Sequence, residues 1–175
     1  SAASDVYKRQ VEESLKDLNV DSVDVLFLHD PEYVKDINDV TKKDGALDEL
    51  FKIKEEGLAK AVGLAMGRID IMFPILRKWD FDVIINHNRY TLLNREADEM
   101  YSYAHNKNIS IFNAAPYAGG VLAKGPSNFK KITYQDATEE KLAPAREIEK
   151  VCKKYNVEML SLIHISEPTR RVEIA

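Results

Sequence analysis

The stretch that decides the fold covers residues 23–31, VDVLFLHDP. Five of its first six residues are apolar, and the run ends in His29, before Asp30 and Pro31. An unbroken apolar run is typical of a strand that is buried on both faces of a parallel sheet. Proline ends such a strand because it lacks an N–H group and restricts the backbone of the residue before it. We therefore predict that His29 lies at the C-terminal end of an interior strand.

This position gives His29 two possible roles. In barrels of alternating strands and helices, the C-terminal ends of the strands carry the chemistry, which makes His29 a candidate catalytic residue. The alternative is a core histidine that is hydrogen-bonded to a backbone carbonyl. The stretch alone leaves both interpretations open.

Composition and charge exclude several classes of protein. The chain has 175 residues, 45% of them hydrophobic, which suits one domain with one core. Its net charge of −4 comes from scattered residues without a basic stripe, so we expect no nucleic acid partner. No apolar run reaches the roughly 18 residues of a membrane span, so we expect a cytoplasmic protein without a membrane partner. The single cysteine, Cys152, excludes an internal disulfide. The sequence leaves the oligomeric state open.

The remaining sequence alternates between helical and strand patterns. Gly63 lies inside one strand pattern and predicts a close backbone approach, and Thr138 is a predicted N-cap. We predict loops at 31–44 and 122–138. The predicted helices are 11–18, 46–56, 70–79, 95–106 and 139–155, and the predicted strands are 23–29, 59–64, 81–85, 109–112 and 157–163.

This alternation predicts a parallel sheet with right-handed crossovers. No G-x-G-x-x-G motif follows a predicted strand, which disfavours an open sheet that binds a dinucleotide. A closed eight-stranded barrel usually needs about 250 residues. The pattern therefore leaves a smaller open sheet and a part of a barrel as alternatives.

Four sequence blocks resemble the aldo-keto reductase family, closest to its aldose and galactose dehydrogenase branch. They are VEESLKDLNVDSVDVLFLHDP at 11–31, GLAKAVGLAMG at 57–67, DVIINHNRYTLLNREA at 82–97 and IFNAAPYAGGVLAKGP at 111–126. The resemblance implies an α/β fold, a partial (β/α)8 TIM barrel with about five parallel strands and alternating helices. It covers residues 11–160 and implies a fragment that lacks the N-terminal strands and the C-terminal cofactor-binding end.

The two ends of the chain do not continue this resemblance. Residues 5–10, DVYKRQ, and 162–170, LIHISEPTR, resemble translated sequencing-adapter read-through. Such segments should be left out of fold reasoning. We therefore predict that residues 1–10 and 161–175 are non-native or flexible tails beside a partial barrel at 11–160.

The resemblance also implies a function. Family members are NAD(P)-dependent oxidoreductases that interconvert carbonyl and alcohol groups by hydride transfer, here with an aldehyde, ketone or sugar as substrate. Their active site uses Asp, Tyr, Lys and His; the resemblance assigns the His to His29 and the other three to strands that this chain does not contain. We therefore expect the chain alone to be inactive. The implied cofactor-binding residues are Met66, His87, Pro116, Tyr117, Ala118 and Gly119.

Two other functions stay open. The first is a non-catalytic cofactor-binding or regulatory protein on the same barrel fold. The second is a different barrel enzyme that uses His29, Asp30 and His87 as bases or metal ligands. These three residues lack the local spacing of a metal site, so we expect no metal.

Overall fold

The computed structural model describes residues 2–133 and 135–166. The chain divides into two compact units, which are described one after the other. The first unit comprises Ser1–Asn86 and Glu99–Phe112, and the second comprises His87–Asp98 and Asn113–Ala175.

The first unit contains most of a four-stranded sheet and the helices between its strands. Strand β1 pairs with β2, and β2 pairs with β3, in parallel register, and β4 is the other neighbour of β3. The elements are α1 (Ala2–Leu18), β1 (Val23–His29), α2 (Asn38–Thr41), α3 (Ala46–Glu55), β2 (Ala59–Met66), α4 (Ile69–Leu76), β3 (Val83–His87), α5 (Asp98–Asn106) and β4 (Ser110–Ala114). Alternating helices and parallel strands confirm the predicted α/β class.

The position of β1 differs from the prediction. In the described part of the chain, β1 is an outer strand of the sheet, with β2 as its sheet neighbour. None of its residues is fully buried, and Val25 is 37% exposed. An apolar run identifies a strand, but burial also requires neighbours on both sides. The prediction of an interior strand is therefore wrong for this chain.

Gly63 leaves room for side chains of the two neighbouring strands. A Cβ atom at Gly63 would lie 2.8 Å from Cγ1 of Val83 and still closer to the ring of Phe27. Gly63 is paired with Phe27 on β1 and with Val83 on β3. In place of the predicted close approach of another backbone, the side chains of Phe27 and Val83 fill the space beside Gly63, and a larger residue would need the ring to move.

Asp82 connects the elements at the opposite end of the sheet. Both carboxylate oxygens accept hydrogen bonds from Nζ of Lys54 at 2.7 Å, and Oδ2 also accepts one from the Val62 N–H at 2.8 Å. The carbonyl of Asp82 accepts a hydrogen bond from the Ser110 N–H at 2.9 Å. The side chain of Asp82 thus ties α3 and β2 to the residue before β3, and its main chain ties the start of β4 to the same residue.

The second unit contains short elements around a small apolar core. They are a 3-10 turn at Ala118–Gly120, α6 (Val121–Lys124), β5 (Lys131–Ile132), β6 (Gln135–Asp136), α7 (Glu139–Lys154) and α8 (Met159–Ser166). Thr138 caps α7 as predicted, with its hydroxyl accepting from the Lys141 N–H at 3.4 Å. The buried residues are Ala118, Val121, Leu122, Leu142, Ala145, Cys152 and Met159.

The fifth predicted strand is a helix. Residues 157–163 were expected to begin a strand, but most of them belong to α8. Asn156 has a left-handed backbone with φ of 53°, which turns the chain after α7. The N–H and hydroxyl of Ser161 then donate to the Glu158 carbonyl at 3.0 and 2.7 Å, which starts a new helical turn. A short apolar run is compatible with either structure, so periodicity could not separate them.

Other parts of the predicted organisation have mixed outcomes. The predicted loops contain helix α2 at 38–41 and the β5–β6 hairpin at 131–136. Residues 2–10 lie in α1 and 161–166 lie in α8, whereas 167–175 lie outside the described residues. The division into a partial barrel and two tails stays a prediction. In the described residues, no helix combines the length and the apolar character needed to cross a membrane.

Glu149 supplies a pH-sensitive contact in the second unit. Its Oε2 accepts a hydrogen bond from the Ser127 hydroxyl at 2.8 Å and lies 3.1 Å from Nζ of Lys153. The hydrogen bond from Ser127 lowers the pKa of this carboxyl most, and Lys153 adds to the effect, so the pKa lies below its ordinary value of 4.5. The ionised form is therefore stabilised in the folded protein.

We expect Gly63→Ala to lower the free energy of unfolding by about 1–3 kcal/mol, the usual cost of an overpacked core. The added methyl group would overlap the Phe27 ring and Val83. Urea unfolding measures the loss. Adding Phe27→Leu to Gly63→Ala should recover part of it relative to the sum of the single variants. Equal stability of Gly63→Ala and the original chain would contradict the close packing.

We expect Glu149→Gln to destabilise the folded chain at pH 7 and to cost less as the pH falls below 4.5. A lowered folded pKa adds stability above the unfolded pKa, and this contribution disappears as the carboxylate is protonated. Urea midpoints at several pH values measure the effect. The matched control is Glu147→Gln, because Glu147 is 68% exposed on the same helix. A pH-independent difference would be the contrary result.

Candidate functional site

His29 ends β1 and points its ring into solvent. It is paired with Ala65 of β2, and its side chain is 75% exposed. Its Nε2 lies 3.6 Å from Oδ1 of Asp30, which is too far for a hydrogen bond. The structure therefore contradicts the alternative of a core histidine. The ring can reach a bound ligand, and its catalytic role stays a prediction.

Two carboxylates follow His29 directly. Asp30 has a left-handed backbone with φ of 50°, and the Pro31–Tyr33 3-10 turn carries Glu32 back to the loop after β2. There Oε1 of Glu32 accepts a hydrogen bond from the Gly67 N–H at 2.9 Å. Carboxylate oxygens of Asp30 and Glu32 lie within 4.8 Å of each other. Oδ1 of Asp30 and Oε2 of Glu32 are buried without a hydrogen-bond partner among the described residues.

Glu32 is not among the site residues predicted from the sequence. A usable signal was present, because Pro31 is favoured at the first position of a helical turn. A turn at that point reverses the chain and returns Glu32, its second residue, towards the strand ends.

Met66 is the last residue of β2, which extends two residues beyond the predicted strand at 59–64. It is paired with Asn86 of β3, and it is 1% exposed. Its carbonyl accepts a hydrogen bond from Nδ2 of Asn86 at 2.8 Å. Oδ1 of Asn86 is buried without a partner among the described residues. The Met66 side chain is therefore part of the core, and the polar group at this strand end comes from Asn86.

Arg68 follows this strand end at the start of α4. Its Nη2 lies 2.6 Å from Oδ2 of Asp70, and Nε donates to Oδ1 at 3.2 Å. This hydrogen bond, with a smaller contribution from Glu32, raises the pKa of Arg68 above its ordinary value. The guanidinium is held as a permanent cation close to the loop after β2.

His87 and Asn88 form a hydrogen-bonded pair in the second unit. Nδ1 of His87 lies 3.1 Å from Nδ2 of Asn88. Asn88 is 7% exposed and has a left-handed backbone with φ of 61°. Its N–H donates to the Ala114 carbonyl at 3.2 Å, which joins the end of β3 to the end of β4. One nitrogen of the His87 ring is thus engaged by its own neighbour.

The segment after Asn88 is held by contacts of its own. The Tyr90 carbonyl accepts a hydrogen bond from Nδ2 of Asn113 at 2.9 Å, and the Arg95 guanidinium lies 4.1 Å from the Tyr90 ring centroid. The Thr91 hydroxyl accepts from the N–H groups of Leu93 and Asn94, each at 3.0 Å. These contacts give the segment a structural role.

The segment with the predicted cofactor-binding residues 116–119 has an unusual backbone. Ala118, Gly119 and Gly120 follow one another with φ of 51°, 77° and 113°, and Ala115 has φ of 56°. Left-handed alanines are strained by roughly 1–3 kcal/mol, and such strain is found mostly at functional sites. Tyr117 precedes them with an ordinary negative φ of −87°. The turn is closed by its own hydrogen bonds, since the N–H groups of Ala118 and Gly120 donate to the Ala115 and Tyr117 carbonyls at 3.1 and 2.9 Å.

Each unit thus groups some of the predicted residues. In the first, His29 and Met66 lie at the C-terminal ends of neighbouring strands. In the second, the Asn88–Ala114 hydrogen bond links His87 to the segment that leads into residues 116–119. Chemically, the first unit offers an exposed imidazole beside carboxylates, and the second offers an imidazole and a small-residue loop.

Comparison with known proteins identifies relatives of this chain. The family model described as "Aldo/keto reductase family" matches residues 2–164. A D-threo-aldose 1-dehydrogenase from a Pseudomonas species is 28% identical over 152 residues, which are 86% of this chain and 45% of the relative. An L-galactose dehydrogenase from Arabidopsis thaliana is 26% identical over 150 residues, 79% of this chain and 44% of the relative. The chain therefore spans about half the length of the curated relatives it matches.

A solved structure agrees with these relatives. The glycerol dehydrogenase AKR11B4 from Gluconobacter oxydans superimposes with a TM-score of 0.64 at 21% identity, covering 93% of this chain and 51% of that one. The match confirms the predicted fold class, part of a (β/α)8 barrel. On the family match over nearly its whole length, the chain belongs to the aldo/keto reductase family.

Proposed function

We propose that this chain belongs to an NAD(P)-dependent oxidoreductase that interconverts carbonyl and alcohol groups of aldehydes, ketones or sugars. The observation that supports it most is the exposed His29 ring at the C-terminal end of β1. Barrel enzymes carry their chemistry at these strand ends. The printed names of the two dehydrogenase relatives favour sugars as the first substrates to test.

His29 has the chemistry for a role in substrate binding. A neutral imidazole donates one hydrogen bond and accepts another, so it can orient a substrate oxygen and assist a proton transfer. The ring is 75% exposed, and its Nε2 makes no hydrogen bond to Asp30 at 3.6 Å. In this proposal His29 binds the carbonyl or hydroxyl oxygen of the substrate.

The second unit has features that fit a dinucleotide. The proposed contacts to its pyrophosphate are Pro116, Tyr117, Ala118 and Gly119, in a loop whose Ala118 and Gly119 have left-handed backbones. His87 is the proposed contact to the nicotinamide amide. When bound, the cofactor supplies or takes up the hydride. The protein groups hold it by hydrogen bonds and leave the redox chemistry to it.

Met66 fits a dinucleotide less well. Its side chain is buried, and its carbonyl already accepts a hydrogen bond from Asn86. We therefore propose that Met66 makes no side-chain hydrogen bond to a cofactor and packs in the core of the first unit.

We expect the 175-residue chain to bind NADPH or NADH and His87→Ala to weaken this binding roughly tenfold, the effect of one lost hydrogen bond. Titration followed by quenching of nucleotide fluorescence measures the affinity. The matched control is His105→Ala, because His105 is an exposed histidine at the end of α5. Equal losses in both variants, or no binding by the original chain, would contradict the proposed cofactor contact.

We expect the same chain to show little or no turnover of NADPH or NADH with aldehydes or aldoses. The resemblance assigns the Asp, Tyr and Lys of the active site to strands outside these 175 residues, so His29 lacks its proton-donating partner. Absorbance at the nicotinamide band measures turnover. Cofactor oxidation that depends on the substrate, and that disappears in His29→Ala, would overturn this expectation.

A further inference from the structure

The contact between His87 and Asn88 determines where the imidazole carries its proton. The two nitrogens lie 3.1 Å apart, within hydrogen-bond distance. An amide nitrogen donates and does not accept, so Nδ1 of His87 must be the acceptor. A neutral ring that accepts at Nδ1 carries its only proton on Nε2.

The opposite orientation of the Asn88 amide is disfavoured by burial. Oδ1 of Asn88 is buried and has no hydrogen-bond partner among the described residues. Turning the amide over would put both hydrogens of Nδ2 in that position. Buried N–H groups without an acceptor are rarer in proteins than carbonyl oxygens without a donor. The orientation with Nδ2 facing the ring is the less costly one.

Asn88 is itself held in place, so its amide is a fixed reference for the ring. Its main chain donates to the Ala114 carbonyl at 3.2 Å, and the residue is 7% exposed. Its φ of 61° is a conformation that asparagine adopts more readily than most residues. Backbone and burial together restrict the side chain to one side of His87.

We propose that Asn88 is a positioning residue that fixes His87 as the Nε2–H tautomer, so that the ring presents a donor to its ligand. The tautomer follows from the contact alone. The identity of the ligand rests on the function proposed above. A donor at Nε2 would recognise the carboxamide oxygen of nicotinamide and disfavour its NH2 group, because two donors cannot bond to each other. Asn88 would thereby select one rotation of the carboxamide.

Nitrogen-15 NMR of labelled histidine tests the tautomer directly. At about pH 8.5, where imidazole is ordinarily neutral, we expect a pyridine-like Nδ1 signal and a pyrrole-like Nε2 signal for His87. In Asn88→Asp, the carboxylate accepts from Nδ1–H, so the two patterns should exchange. In Asn88→Gly, which retains the left-handed backbone, the ring should become a mixture of tautomers. The signals of His105 should not change and serve as the internal control.

Cofactor binding tests the consequence. Asn88→Asp should weaken NADPH or NADH binding roughly tenfold, and it should have no further effect when added to His87→Ala. A tautomer exchange without any change in cofactor affinity would overturn the ligand assignment and leave the positioning role supported. A pyrrole-like Nδ1 in the original chain, or unchanged signals in both Asn88 variants, would overturn the positioning role even if the cofactor binds.

Discussion

The parallel register of β2 with its two neighbours is the constraint on which the first unit depends. It pairs His29 with Ala65 and Met66 with Asn86, so the carboxyl ends of three strands lie at one edge of the sheet. Gly63 accommodates the side chains of its two neighbours, because the ring of Phe27 and Val83 occupy the space of its missing side chain. Asp82 fixes the other end through Lys54 and the Val62 N–H. The polar groups of the candidate site lie at one end of the sheet, and the contacts of Asp82 hold the other end.

The two ends of the sheet differ in how completely their polar groups are satisfied. Each Asp82 carboxylate oxygen accepts at least one hydrogen bond, as expected of a structural residue. At the carboxyl end, Asp30, Glu32 and Asn86 each keep one buried oxygen without a partner among the described residues. Unsatisfied buried oxygens cost free energy. Such oxygens are therefore expected at a site that binds a ligand rather than in a purely structural region.

Local backbone chemistry made part of the fold and site predictable from the sequence. The end of β1 at His29 and the cap at Thr138 each follow from what a proline or threonine permits in its own neighbourhood. The exposure of β1 was not predictable in this way, because burial depends on strands far away in sequence. Residues 157–163 were misassigned because an apolar run of that length suits a helix or a strand.

The polar contacts of the site were the least predictable part. Glu32 reaches Gly67 through a single 3-10 turn, and Asn88 meets His87 through a left-handed backbone. Neither arrangement has a periodic sequence pattern, since each depends on the torsion angles of one or two residues. Family resemblance named His87 without its neighbour, and the neighbour decides what the ring can donate. The strained Ala115 and Ala118 are a further feature that composition alone did not reveal.

We propose that ligands bind at the carboxyl ends of the strands and in the loops that follow them. Backbone amide shifts of the 15N-labelled chain during titration with NADPH test this claim most directly. We expect saturable shift changes at His87, Asn88 and residues 117–120, and no change in the amide shifts of Asp82 and Asn108. Shift changes concentrated at Asp82 and Asn108, with none at His87 or residues 117–120, would contradict it.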